Sequence, residues 1–294
     1  MMVKIIWFVP PAISVVAEQR GFFGREGVSV EATATRSSDE QFEALRDGRV
    51  EAAVTAMDNV IMWNRRPGGG AFRIVAQVEA KTGISLVARP EFETVAALAG
   101  RRLLVDSAVN GFVVALRAML ADAGTDFDRC DVVEAGGVKE RFDRLLEGEG
   151  DATLLGPPFV ELAEQHGLRR IADADAAYPG FPGQGVVVRS PLPETRASEL
   201  VRWLAAMESA RAASVRDPAA TAAALQTTGL PPPIAARLAG FVASTLWPSR
   251  DGIALLVEQR RRLGLDGGDA TYDALVDTAL LDQLGAPGRP DPLN

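Results

Sequence analysis

The sequence predicts an α/β protein of two lobes, each built on a βαβαβ unit, with a helical final third. Three observations carry this. The segment "EALRDGRVEAAVTAMDN" (residues 43–59) returns in altered form as "DRLLEGEGDATLLGPPF" (143–159), with Leu45 over Leu145 and Gly48 over Gly148. Each copy closes a longer run in which short apolar stretches alternate with segments of helical period, the pattern of parallel strands joined by right-handed crossover helices. From Glu194 onward the chain turns alanine-rich and stays helical in period.

In the first copy, a β-rich run (Val3 to Val9) is cut by Pro10 and Pro11 and leads to a helix over Ala12 to Gln19. A strand (Val28 to Ala34), a helix (Ser38 to Arg46) and a strand (Ala52 to Ala56) follow. Ser37-Ser38-Asp39-Glu40 fits a capping box, in which a serine oxygen takes the N3 amide and the glutamate reaches back. Gly48 and Gly148 stand where a left-handed C′ residue closes a helix, so backbone geometry alone explains the pair. The second copy reads strand (Arg102 to Val105), helix (Gly111 to Ala123), strand (Asp131 to Ala135), helix (Lys139 to Glu147) and strand (Ala152 to Leu155). Extended stretches at 72–90, broken at Gly83, and at 183–191 pass between the lobes. They predict lobe one from 1–82 plus 190–294 and lobe two from 84–187. In the last third, Asp217-Pro218 restarts a helix, "TGLPPPIAARLAGFV" holds a stop and a new start, and "LGAPGRPDPLN" reads as coil.

At 294 residues and 47% hydrophobic, the chain can bury two ordinary cores. A net charge of −8 argues against a nucleic-acid partner, which would call for a basic face. No apolar stretch is long enough for a membrane span. The N-terminus reads as a strand, not a signal peptide, so the expected location is cytoplasmic, or periplasmic or extracellular if a signal is removed before the numbering begins. Cys130 is the one cysteine and reads as a packed residue; His166, the one histidine, ends the helix "FVELAEQH" ahead of Gly167, where its charge or hydrogen bond suits the C-terminus. No disulfide, metal site or cofactor is expected, and neither a Ser-His-Asp nor a Cys-His mechanism has its base.

Several segments together carry a resemblance: "AEQRGFFGREGVSVE", the "EALRDGRVEAA" segment, "SAVNGFVVALRAMLADAG", "LLEGEGDATLLGPP" and "ESARAASVRDP", in that order. They resemble the substrate-binding proteins of sulfonate, nitrate and thiamine-pyrimidine ABC importers. The resemblance spans nearly the whole chain. It implies the type 2 periplasmic-binding-protein fold, two lobes closing on a small molecule like a hinged clamp, each copy of the repeat supplying one jaw. An ABC permease would be the partner, and a monomer is expected.

Ligands of open parallel sheets lie beyond the carboxyl ends of strands, where helix N-termini present free amides. Six segments meet there: Trp7 to Pro11, Thr35 to Ser38 and Met57 to Asn59 from lobe one, and Asp106 to Gly111, Gly136 to Lys139 and Gly156 to Phe159 from lobe two. The candidate ligand-binding residues are Trp7, Phe8, Pro10, Arg36, Ser37, Ser38, Asp58, Asn59, Lys81, Ser107, Asn110, Gly136, Pro157 and Phe159. Asp58 either faces the ligand or caps a helix, and Lys81 sits at the hinge. Trp63, Phe112, Tyr178 and Phe181 add ring faces near these loops, some of them core.

Two functions fit. One is a binding protein that captures an organic, aromatic or anionic small molecule. The other is a metal-free lyase, since the resemblance extends to decarboxylases and a dehydratase, with Asp58, Lys81 and Asp106 as candidate groups. The pyrimidine synthase relative uses a cysteine-rich iron motif and a consumed histidine, which this chain lacks. Binding is the favoured reading.

Overall fold

A computed structural model describes residues 1–109 and 111–285, so Asn110 and most of the expected terminal coil lie outside the described residues. The chain opens with β1 (Met2–Trp7), α1 (Ala12–Gln19), α2 (Phe22–Arg25), β2 (Ser29–Ala34), α3 (Ser38–Arg46), β3 (Ala52–Ala56), α4 (Asp58–Trp63) and β4 (Phe72–Gln77). It then crosses to β5 (Ser85–Ala88), β6 (Arg102–Val105), α5 (Val113–Asp122), β7 (Asp131–Glu134), α6 (Val138–Leu146), β8 (Ala152–Leu155), α7 (Phe159–Gln165), β9 (Arg169–Asp173) and α8 (Ala174–Ala177). A second crossing leads to β10 (Gln184–Arg189). The helices α9 (Glu194–Arg216), α10 (Pro218–Gln226), α11 (Pro232–Ala239), α12 (Arg250–Arg262), α13 (Tyr272–Leu275) and α14 (Ala279–Gln283) complete the chain.

Two five-stranded sheets result, ordered β2-β1-β3-β10-β4 and β7-β6-β8-β5-β9. Each has three parallel strands from one βαβαβ copy. Its fourth strand, the one that arrives from the other lobe, runs antiparallel to both neighbours. The sheets are therefore mixed, because a strand entering straight from a crossing has no helix to turn it round. This also moves a boundary: Val186 and Val187 pair with Val54 and Ala53 of β3, so the return to lobe one comes before Gln184 and not after residue 187.

Local signals account for the element ends. Ser37 Oγ accepts from the Asp39 amide at 3.1 Å, but Glu40 reaches the Thr35 hydroxyl and not the cap amide, so the capping box is only half formed. Gly48 and Gly148 adopt φ of 67° and 79°, each followed by a residue whose amide closes on the preceding turn. At the first crossing Gly83 is required twice over, by a φ of 59° and because a Cβ there would lie 2.2 Å from the Phe241 ring.

Each lobe buries its own core. In lobe one, Trp63, Phe42 and Phe72 form an aromatic cluster with centroids 5.4–6.1 Å apart. On the other face of that sheet, α9 lays Leu200, Trp203, Leu204 and Met207 over Ile5 and Val54. In lobe two, Phe142 packs on Phe159 at 5.3 Å beneath α6 and α7. The C-terminal helices do more than cover lobe one, since α12 also packs on α5 of lobe two.

A buried ion pair spans the lobes in the interior. Arg260 on α12 is fully buried, and its Nε and Nη2 each donate to a different oxygen of Asp58 at 2.6 Å. Its remaining donors reach the carbonyls of Asp266 (2.7 Å) and Val109 (2.9 Å), while Asp58 Oδ2 accepts from the Gly111 amide at 2.9 Å. Removing one member of such a pair strands the other, at a cost of about 3–5 kcal/mol. Arg260→Met should lower the unfolding free energy by about that amount in urea titrations, whereas Arg261→Met, whose partner Glu258 is exposed, should leave it nearly unchanged. Equal stability of the two variants would show that the buried pair is not the tie it looks like.

Candidate functional site

Between the lobes lies a cavity of about 440 Å³. Its walls come from three sources: the β1–α1 turn, β3 and α4 of lobe one; the loops after β6 and β8 together with α6 of lobe two; and the α10–α11 region. Most of the lining is apolar, with Phe8, Val9, Pro10, Phe112, Leu230, Leu238 and Phe241 prominent. Asn59, Thr55, Thr82, Ser107 and Gln184 supply neutral polar groups.

Three charged side chains face this space: Glu79, Asp106 and Arg141. Glu79 follows β4 at the first crossing and accepts from Gln184 at the start of β10, from the amide at 3.4 Å and from Nε2 at 3.2 Å. Burial pushes its carboxyl up to about 7, against the smaller pull of Gln184. Asp106, at the end of β6, is also raised by burial, while the Arg141 charge and the Ser38 hydroxyl and amide at the start of α3 favour its ionised form. Its Oδ1 is buried without a hydrogen-bond partner. Arg141 is held by neutral acceptors, Gly136 O at 2.7 Å, Leu154 O at 3.1 Å and Thr153 Oγ1 at 3.1 Å, and burial pulls its guanidinium below the usual value.

Of the residues singled out from sequence, Phe8, Pro10, Asn59, Ser107 and Pro157 line the cavity, as does Asp106. Asn59 donates to Thr55 Oγ1 at 2.7 Å, and Ser107 Oγ accepts from the Val109 amide at 3.3 Å. The others take different places. Asp58 is consumed by Arg260 and Gly111, so its carboxylate has no capacity to face a ligand. Trp7 turns into the lobe-one core beside Ile5, because side chains alternate along β1 and Trp7 shares the face of Val3 and Ile5. Phe159 packs on Phe142, and Gly136 contributes only its carbonyl to Arg141. Arg36 is exposed and pairs with Glu140 across the cleft mouth at 3.1 Å; Ser37 is spent on the α3 cap, and Ser38 is buried beside Asp106. Lys81 is exposed on the hinge, outside the cavity. Asn110 lies outside the described residues. Among the other aromatics only Phe112 reaches the cavity; Trp63 and Phe181 are core, and Tyr178 donates to Asp122 at 2.6 Å.

Sequence reasoning missed Glu79, Gln184, Arg141 and the whole α10–α11 wall. A signal existed for the first two: each is a polar residue placed where an apolar extended run crosses between lobes, in "AQVEA" and "GQGVVV". Arg141 gave none, since an arginine on an amphipathic helix looks the same whether it faces water or a cleft.

A family model described as NMT1/THI5 like matches residues 12–221. The chain belongs to this family. No curated protein matches the sequence of this NMT1/THI5-like chain. Solved structures similar to it include the periplasmic nitrate-binding protein NrtA from Synechocystis PCC 6803, 12% identical over 99% of this chain and 92% of that one, with a TM-score of 0.80. The alkanesulfonate-binding protein SsuA from Xanthomonas axonopodis pv. citri, bound to MOPS, is 17% identical over 90% and 94%, with a TM-score of 0.72. The ligand-binding component of an ABC-type import system from Staphylococcus aureus, with zinc bound, is 13% identical over 97% and 99%, with a TM-score of 0.78. The architecture is the periplasmic-binding-protein fold. Among the described residues no group of His, Cys, Asp or Glu is placed to hold a metal ion, and no helix is long and apolar enough to cross a membrane.

The raised Glu79 carboxyl makes a pH prediction. The folded state holds a proton there up to about 7, whereas the ordinary value is 4.5, so between these values the folded form binds more protons than the unfolded one. The stabilisation is present below that window and is lost as pH rises through it. The thermal midpoint of Glu79→Gln, which cannot ionise, should therefore gain on that of the native protein across this interval. Parallel midpoints for the two proteins would place the Glu79 carboxyl in water.

Proposed function

We infer that this protein is a binding protein that closes its two lobes over a small organic molecule and delivers it to an ABC-type importer. The observation that carries the reading is the interlobe cavity: it is enclosed by both lobes and by α10–α11, large enough for a compact organic ligand, and mostly apolar with a few convergent polar groups. The similarity in fold to import-system binding components supports the link to uptake. Catalysis is not needed to explain the site, because capture requires only a ligand that favours the closed state. An extracytoplasmic location goes with this reading and is tested by fractionating cells that express the native gene.

A second reading, a metal-free lyase, has one observation in its favour. Glu79, with its carboxyl raised to about 7, has the proton affinity suited to acid–base work, and Asp106 shares the cavity with it. Of the earlier candidates Asp58 and Lys81 drop out, since neither reaches the cavity.

Native mass spectrometry of gently purified protein should show a retained ligand, released intact after hours of incubation with excess protein. A product lighter by water or carbon dioxide, lost in Glu79→Gln, would make the protein a lyase. Leu238→Trp, which fills the cavity from the α11 side, should abolish ligand retention with little change in the urea midpoint. Undiminished retention in that variant would move the site elsewhere.

A further inference from the structure

The cavity carries its own charge balance. Lined by two carboxylates and one guanidinium, it is left with one negative charge when all three are ionised. Asp106 and Arg141 are electrostatically paired, each favouring the other's charged form. The same Asp106 carboxylate lies beside the Ser38 hydroxyl and amide at the first turn of α3, where the backbone would otherwise offer an approaching anion its donors. The corner best suited to an anionic ligand is thus occupied by the protein's own carboxylate.

Glu79 is different. Among the described residues its carboxylate has Gln184 as its one hydrogen-bond partner, and no basic side chain lies within ion-pair distance of it. Lys81, two residues further on, is exposed and outside the cavity. The cavity lining includes three phenylalanines, Phe8, Phe112 and Phe241, the last of them beside the first crossing, and aromatic ring faces attract cations. An anion entering here would meet an uncompensated carboxylate in an apolar enclosure, whereas a cation would neutralise it.

We propose that the cleft selects an organic monocation, an ammonium or amidinium group on an apolar body, with its charge beside Glu79 and its body against the Phe241 and Leu238 wall. This rests on the small-molecule-binding reading above. It sets the protein apart from the nitrate- and alkanesulfonate-binding structures of the same fold, which take anions.

The test is calorimetric titration of the intact protein with three probes of similar bulk: benzylammonium, benzyl alcohol and benzenesulfonate. At pH 8 the cation should bind at least about tenfold more tightly than either of the others, the scale of one charge-assisted contact. Glu79→Gln should remove about that factor for the cation and leave the alcohol unchanged. In the native protein the affinity for the cation should also rise from pH 6 to pH 8 as Glu79 ionises, a dependence absent from Glu79→Gln and readable even if that variant is less stable. Benzenesulfonate binding as tightly as the cation, or a cation affinity indifferent to both pH and Glu79→Gln, overturns the charge assignment. If the alcohol or the sulfonate then binds and Leu238→Trp blocks it, the small-molecule site survives that failure. Failure of all three probes to bind counts against both.

Discussion

The architecture turns on one buried ion pair. Arg260 reaches from α12, in the helical final third, to Asp58 at the first residue of α4, and both touch the loop after β6 through Val109 O and the Gly111 amide. Three separate parts of the chain are thereby fixed at one point beside the cleft. An ion pair taken from water offers little net stability compared with apolar packing, but it tolerates only one arrangement. With every oxygen of Asp58 engaged, this pair sets how the lobes face each other. The more exposed pairs across the same boundary, Arg237 with Glu161 at 2.8 Å and Arg262 with Asp122 at 2.6 Å, add alignment at weaker individual strength.

The meeting of the two lobes and the final helices shapes the cavity. The loop after β6 provides Asp106 and Ser107, at the strand ends where open α/β sheets generally bind ligands, while Asn59 and Arg141 stand on α4 and α6, and Glu79 and Gln184 where the chain crosses between lobes. The α10–α11 region adds a wall that the βαβαβ units do not supply, and Phe241 from that wall rests on Gly83 at the first crossing. The Ala80 amide donates to Phe241 O at 2.7 Å, so the hinge strand and the apolar wall are joined through the backbone. A ligand pressing on Phe241 therefore presses on the hinge.

Much of the secondary structure was legible. The helices over Ala12–Gln19 and Ser38–Arg46 and the strands over Ala52–Ala56, Arg102–Val105 and Ala152–Leu155 follow from local period and punctuation. The site was legible in part. Phe8, Pro10, Asn59, Ser107 and Pro157 line the cavity because they sit at or just beyond strand ends, a place that the βαβαβ order alone defines. Asp58, from the same kind of position, failed as a ligand contact, because its partner Arg260 lies two hundred residues away in sequence and nothing local announces it.

By itself, the sequence determined the two-lobed α/β plan, the duplicated unit and the glycines that close its helices. All of these are set by residues within a few positions of one another: apolar period, capping side chains and positive φ. Tertiary structure alone decided that β5 and β10 insert antiparallel in the opposite sheets, that Arg260 neutralises Asp58, and that Glu79, Asp106 and Arg141 share one apolar enclosure. Those outcomes depend on distances between residues far apart in the chain, and on the loss of water around their charges. Neither is written in any short stretch of sequence.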